Sequence, residues 1–209
     1  MPKESPPSRK LSAVLLADVV GFSQLMEKDE AGTLNRLKNL RQDHIEPIIS
    51  GHHGRIVKLM GDGMLVEFPS VVEAVACADE IQSGMRELNR EQAAGEKIEL
   101  RIGINLGDIL TEGTDIYGDG VNIAARLEQL AEPGGICISG VVYDALGNRL
   151  PLEFRSLGEQ QVKNISQPVR VYQARLNGET GTSEHSRTFT GKRAKQAIFA
   201  LAALLCLLL

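Results

Sequence analysis

The stretch Gly54–Phe68, GRIVKLMGDGMLVEF, restricts the fold of this chain more than any other. Two apolar runs flank Gly61-Asp62-Gly63, and an Asp-Gly pair between such runs is a strong short-range signal for an antiparallel hairpin. Upstream, LSAVLLADV (Leu11 to Val19) is a continuous apolar run suited to a strand buried on both faces. Between the two, residues 24–50 place Leu34, Leu37, Leu40, Ile45, Ile48 and Ile49 at roughly helical spacing, with Pro47 expected to bend or shorten the helix end. Strand, long helix and hairpin in that order leave few topologies. The helix makes the first two strands parallel through a right-handed crossover. The hairpin then returns the third strand antiparallel beside the first. Asp18, at the end of strand one, thereby meets Asp62, at the start of strand three, and two carboxylates converge at one sheet edge.

The rest of the chain extends this unit. SVVEAVACADEIQSGMREL places Val71, Val75, Ala78, Ile81, Met85 and Leu88 on one helical face. IELRIGINLGDIL is strand-like, GDGVNIAARLEQLA helical, GICIS a short strand and VVYDAL a short helix; FRSLGEQQV and VRVYQARL read as two further strands. The order strand-helix-strand-strand-helix-strand predicts an α+β fold: a ferredoxin-like or palm βαββαβ sheet with an appended helix and strands, over residues 11–175. Residues 1–10 are polar and proline-rich, are expected to be disordered, and lack the apolar core of a secretory signal.

Composition narrows the class. The 209 residues suffice for one domain and a tail. With 43% hydrophobic and 24% charged residues the domain is of the soluble globular kind. A net charge of −4 argues against nucleic acid as a partner. Cys77, Cys137 and Cys206 are far apart and form no CxxC, which supports neither a disulfide framework nor a zinc site and fits a reducing compartment. Residues 176–195 read as a polar linker. Beyond it, QAIFALAALLCLLL (196–209) is apolar without interruption from Ala197. That run is shorter than the roughly 20 residues that span a hydrocarbon core. A core helix rarely follows so long a polar linker, so the expectation is the start of a single-pass transmembrane helix. Lys192, Arg193 and Lys195 before it would hold the main domain at the cytoplasmic face of the cell membrane.

The side chains that carry chemistry each have a plain alternative. Asp18 and Asp62 offer hard oxygen ligands of the kind Mg²⁺ uses beside phosphates. Asn122 and Arg126 share a helical face, an amide and a guanidinium suited to an oxygen-rich anion, or else an exposed polar stripe with Arg126 paired to an acid. Lys58, inside an apolar run, either snorkels from an edge strand or meets a ligand. Asp115, in a loop, is a turn former or more. Arg101 alternates with Ile102 on a strand and could pair with Glu99. Lys163, in QQVKNIS, carries almost no signal by itself. His44, His52, His53 and His185 lack metal spacing, and Cys77 and Cys137, in apolar runs, read as buried thiols. Neither GxxxxGK[ST] nor a complete GxGxxG occurs.

Together, ADVVGFS, VKLMGDGMLVEF, LRIGINLGD, DIYGDGVNIAARLE and GEQQVKNISQPVRVY resemble, in order, the catalytic domain of class III adenylate/guanylate cyclases. The resemblance runs from Leu11 to Arg175. It implies that Asp18 and Asp62 hold two Mg²⁺ or Mn²⁺ ions, with the backbone near Val19 and Phe22 approaching metals and phosphates. It implies that Lys58 and Asp115 read the purine, that Asn122 and Arg126 orient the ribose and stabilise the transition state, and that Arg101 and Lys163 hold the triphosphate. An ammonium has donors only and adenine N1 is an acceptor, whereas guanine presents N1–H there and would need a carboxylate. Asp115 can accept from the adenine amino group; guanylate cyclases of the family usually carry Glu and Cys at these two places. The implied reaction is therefore ATP to 3′,5′-cyclic AMP and pyrophosphate, in a homodimer with sites shared between subunits. The competing readings are a guanylate cyclase and a catalytically silent nucleotide-binding module. Silent relatives typically lack a metal aspartate or the Asn/Arg pair, and both are present here.

Overall fold

The computed structural model describes residues 8–93, 95–161, 165 and 167–175. Its strands are β1 (Ser8–Val19), β2 (Arg55–Met60), β3 (Gly63–Phe68), β4 (Leu100–Glu112), β5 (Asp115–Tyr117), β6 (Ile136–Ser139), β7 (Glu153–Gln160) and β8 (Val169–Arg175). They form one sheet in the order β2-β3-β1-β4-β6-β8-β7, with β5 paired to β4 off that path. The helices are α1 (Phe22–Lys28), α2 (Glu30–Leu40), α3 (Glu46–Gly51), α4 (Val71–Arg90), α5 (Asp119–Leu130) and α6 (Gly140–Leu146), with a π-helical turn at Arg41–Ile45 between α2 and α3. The β2-β3-β1-β4 half is the expected βαββαβ unit. β1 runs antiparallel to both β3 and β4, and β2 antiparallel to β3, so β1 and β2 share a direction.

β1 occupies the middle because it is apolar on both faces. Ala13, Leu15, Ala17 and Val19 face the main core, where Phe68, Ala74, Ala78, Ile81 and Ile102 are buried. Val14 and Leu16 face the other side, against Leu65, Ile109, Ile116 and Ala124. Fully burying a side chain such as Leu15 stabilises by about 2 kcal/mol, and β1 does so on both faces at successive positions. β4 follows β1 from Leu100, opposite Val19, to Thr111, opposite Ser8. β1 begins at Ser8, so the last three residues of the expected disordered segment belong to the sheet.

Local chemistry divides the helix expected over 24–50. Asp29 ends α1 and caps α2, its carboxylate accepting from Gly32 N at 2.9 Å. The π-helical turn follows, and Pro47 sits in the first turn of α3, where its missing N–H costs nothing. Leu37, Ile45 and Ile49 are buried as expected, while Leu34 is exposed. Ser70 caps α4 by accepting from Val72 N at 3.2 Å. Val71, Val75, Ala78, Ile81 and Met85 are buried, and Leu88, expected on the same face, is 49% exposed. Cys77 and Cys137 are buried free thiols, both pushed up to about 12 chiefly by burial. Lys163, the polar linker and the apolar run 196–209 lie outside the described residues. Among the described residues, no helix is long and apolar enough to cross a membrane.

Candidate active site

The predicted convergence of Asp18 and Asp62 is present. Asp18 is the penultimate residue of β1, and its neighbour Ala17 pairs with Met64 just past the β2–β3 turn that carries Asp62. The two carboxyl groups lie close enough to act on each other. Burial raises the Asp18 pKa above the ordinary carboxylate value, and the charge and hydrogen bond of Asp62 raise it further; the Val19 N–H and the charge of Arg101 oppose this. Gly63 leaves room for the approach, since a Cβ there would sit tightly, 3.1 Å from Asp18 Oδ1 and 3.2 Å from the Ala17 carbonyl oxygen. Two facing carboxylates repel once both ionise, and a divalent cation between them relieves that repulsion. No set of three His, Cys, Asp or Glu that could hold a metal occurs among the described residues. Mg²⁺ usually takes one or two carboxylates and completes its shell with water and substrate phosphates, and Asp18 and Asp62 supply two such carboxylates. The donor set thus fits the implied ions.

Val19 closes β1 and Phe22 opens α1, so the backbone turns through Val20 and Gly21 directly beyond Asp18. Gly21 holds φ 64°, a left-handed conformation that glycine adopts without strain. Phe22 is half-buried against the core.

Arg101, opposite Asp18 in the β1–β4 register, brings a positive charge to the same edge. Its Nε is buried and has no hydrogen-bond partner. The charge of Arg101 acts on Asp18 and on a third carboxylate that the sequence reading missed, Glu128. Glu128 lies on α5 and is 7% exposed. It reaches this position because α5 rests backbone to backbone on β4: a Cβ at Gly103 would come within 2.2 Å of Glu128 N and 2.3 Å of the Ala124 carbonyl oxygen. Arg101 shares that face of β4, two residues before Gly103. Burial first, and then the charge of Asp18, with a smaller push from Asp62, raise Glu128 to about 7 against the pull of Arg101. The signal was in the sequence. Glu128 falls on the same helical side as Ala124, Leu127 and Ala131, all buried.

Lys58 and Asp115 meet at a second place. Lys58 follows an irregularity in the β2–β3 register, on the edge strand. Its Nζ lies 2.9 Å from Asp115 Oδ2. Asp115 was expected in a loop but is the first residue of β5. Its Oδ1 accepts from Ile116 N at 2.9 Å, and its Oδ2 also accepts from the Tyr117 hydroxyl at 3.1 Å. The hydrogen bond and the charge of Asp115 raise the Lys58 pKa; the same hydrogen bond, joined by that of Ile116 N, lowers that of Asp115. The edge-strand lysine therefore has a specific partner.

Asn122 and Arg126 lie on α5, Asn122 exposed and Arg126 half-buried. Arg126 donates to Gln129 Oε1 at 2.7 Å. That partner is an amide, so the guanidinium charge is not neutralised there. No hydrogen bond or ion pair among the described residues joins the Asp18–Asp62 group, the Lys58–Asp115 pair and the Asn122–Arg126 pair to one another. A cavity of about 700 Å³ lies toward the other end of β4, lined by Arg9, Asn105, Asp119, Ser139 and Arg170, and contains none of these side chains. Among the described residues, one chain thus presents these groups apart from one another.

The chain is similar to known proteins over the same span as the described sheet. Residues 6–175 match the family described as adenylate and guanylate cyclase catalytic domain. A crystal structure described as adenylate/guanylate cyclase/hydrolase from Silicibacter pomeroyi is 47% identical, with a TM-score of 0.76, and the match covers 80% of this chain and 97% of that one. For the adenylyl cyclase CyaB from P. aeruginosa the identity is 31%, the TM-score 0.71 and the coverage 82% and 96%. A Rhizobium meliloti protein provisionally named adenylate cyclase 3 is 46% identical over 164 residues, which are 78% of this chain and 28% of that protein. This chain therefore spans little more than a quarter of that relative. With matching sequence over the whole described sheet, the chain belongs to the adenylate and guanylate cyclase catalytic domain family.

Proposed function

We propose that this domain is an adenylate cyclase, converting ATP to 3′,5′-cyclic AMP and pyrophosphate at sites shared between two copies of the chain. The observation that carries the choice of base is the Lys58 Nζ–Asp115 Oδ2 pair at 2.9 Å. It offers a donor and an acceptor side by side. When adenine enters, Lys58 donates to N1 and Asp115 accepts from the 6-amino group, each dividing its donors or acceptors between the other and the ring. Guanine would set its N1–H against the ammonium, two donors with no acceptor, a mismatch that can discriminate by orders of magnitude.

Asp18 and Asp62 would hold two Mg²⁺ or Mn²⁺ ions, which when bound lower the pKa of the ribose 3′-hydroxyl and brace the phosphates. The remaining work falls to this chain's own side chains. In the reaction the 3′-oxygen bonds to the α-phosphorus, the bond from that phosphorus to the pyrophosphate oxygen breaks, and the hydroxyl proton passes to solvent water. Asn122 orients the ribose, and Arg126, its charge uncompensated by Gln129, stabilises the negative charge that builds on the α-phosphoryl oxygens. Arg101 and Lys163 hold the triphosphate. Because the three groups do not meet within one chain, a two-fold homodimer would join the metal half of one subunit to the base and transition-state half of the other.

The test is to incubate purified protein with ATP or GTP and Mg²⁺ or Mn²⁺ and measure cyclic nucleotides. Cyclic AMP well above cyclic GMP is expected. No product from ATP with Mn²⁺ in a demonstrated dimer would overturn the reading. For the tail, residues 196–209 would anchor the domain at the cytoplasmic face of a membrane. The full chain should then partition with membranes, and a version ending at Gly178 should remain soluble and active; equal solubility of both without detergent would refute the anchor.

A further inference from the structure

Glu67 is a charged residue in a strand whose six positions are all buried. It is 6% exposed, and both of its oxygens are engaged. Oε1 accepts from Ser12 Oγ at 2.7 Å and pairs with Lys10 Nζ at 2.5 Å. Oε2 accepts from Arg55 at 2.7 Å. Arg55 is its direct cross-strand partner on β2. Burial alone would raise the Glu67 pKa, but the bonds from Lys10, Ser12 and Arg55 outweigh it and hold the group ionised. This fixes one end of the Arg55 guanidinium. The other amine group of Arg55 donates to the Thr114 carbonyl oxygen at 2.9 Å, and Thr114 immediately precedes Asp115.

The consequence concerns the β4–β5 hairpin. β5 has only three residues and pairs with β4 alone. Ile116 carries it over the sheet, buried against Val14, Leu16 and Leu65. Two polar tethers then tie the hairpin tip to β2, Lys58 to Asp115 and Arg55 to Thr114. The first is shared with the base when a purine takes Lys58 and Asp115 as partners, because each then divides its donors or acceptors between the other and the ring. The second does not involve the base and can stay closed. A fixed Thr114 carbonyl keeps Asp115 at its post while its ammonium partner turns to the ligand. This arrangement needs a planar fork that reaches a carboxylate and a carbonyl at once, which arginine has and lysine lacks.

We infer that Arg55, held by Glu67, is a positioning residue for purine selection, pinning the Thr114–Asp115 segment while Lys58 and Asp115 engage the base. The inference rests on the reading of Lys58 and Asp115 as the purine-recognition pair. The experiment compares wild type, Arg55→Ala, Arg55→Lys and Lys58→Ala in the full chain. It measures equilibrium binding of ATP and GTP by competition against a fluorescent nucleotide, steady-state kinetics, and melting temperature. Arg55→Ala should weaken ATP by about tenfold and GTP much less, with KM for ATP rising and kcat changing by less than about threefold. Arg55→Lys keeps a charge for Glu67 but cannot span to Thr114. It should hold its melting temperature close to wild type and still lose most of the ATP preference. Lowered melting temperatures with unchanged ATP/GTP ratios in both Arg55 variants would overturn the inference and leave Arg55 a structural brace. If Lys58→Ala also left the ratio unchanged, the purine-pair reading itself would fail, and the positioning role with it. A ratio shifted by Lys58→Ala but not by either Arg55 variant would remove the positioning role alone.

Discussion

Replacing Glu128 by Gln should make the protein more stable, and increasingly so as the pH rises. The folded domain holds this carboxyl at about 7, against an ordinary value of 4.5. Between those two pH values the unfolded chain has released the proton and the folded domain has not. The folded state then binds more protons, so stability falls as pH rises through the window, and above pH 7 the full penalty is present. At about 1.4 kcal/mol per pH unit, the gap corresponds to about 3 kcal/mol. Gln has nearly the same shape and no proton to lose. In urea unfolding followed by circular dichroism in EDTA, the two proteins should agree within about 1 kcal/mol near pH 5, and Glu128→Gln should be about 3 kcal/mol more stable at pH 8. A divalent cation held by Asp18 and Asp62 adds positive charge beside Glu128, so Mn²⁺ should shrink the difference at pH 8. Parallel stability curves, with one offset at every pH, would refute the reasoning. A buried acid retained at such a cost is what a functional site looks like in an otherwise consistent fold.

Three further outcomes are expected. Asp18→Asn or Asp62→Asn should each abolish cyclic AMP formation and the rise in melting temperature with Mn²⁺, while the metal-free melting temperature stays equal or increases because a repelling carboxylate is gone; near-normal activity at saturating Mn²⁺ would exclude the two-metal reading. Lys58→Glu combined with Asp115→Cys should lose the preference for ATP over GTP, measured as the ratio of kcat/KM values, and an unchanged ratio would show that these residues do not read the base. Asp62→Asn and Asn122→Ala, each inactive alone, should recover about a quarter of the sites when randomly mixed as dimers, because both defects then fall in one site and the other is intact; no recovery in demonstrated heterodimers would mean that each chain builds its own site.

The convergence of Asp18 and Asp62 was legible because it depends only on element order. A buried strand, a helix and a hairpin fix which strand ends meet, whatever the details of packing. Details set by competition between local and tertiary terms were less legible. The apolar spacing over 24–50 is truly helical, yet a capping aspartate at Asp29 ends α1 and a π-helical turn at Arg41–Ile45 separates α2 from α3. β5 is too short to leave a periodic signature; Ile116 is 2% exposed because Val14 and Leu16 lie beneath it, far away in sequence. Arg55 and Glu67 gave no sign, since the bond from Arg55 to Thr114 spans 59 residues. Lys58 stood out in its strand, but its partner at Asp115 followed only from the resemblance to the cyclases.

Glu128 shares α5 with Asn122 and Arg126 but lies on its other face. The helix has two working faces. Asn122 and Arg126 point outward with polar ends available, while Ala124, Leu127 and Glu128 are buried on the sheet side. Gly103 removes the only side chain that could separate helix from strand at that point. The backbone of α5 is therefore seated directly on β4, at the end that carries Arg101 opposite Asp18. In a dimer with shared sites, the outward face of α5 serves one site and Glu128 faces the metal aspartates of the other. A displacement or a change of charge at one metal half would then bear on the same rigid helix that supplies the transition-state residues across the two-fold axis. The continuous helical run from Asp119 to Leu130 contains no proline or interior break, so it joins Asn122 and Glu128 without a hinge.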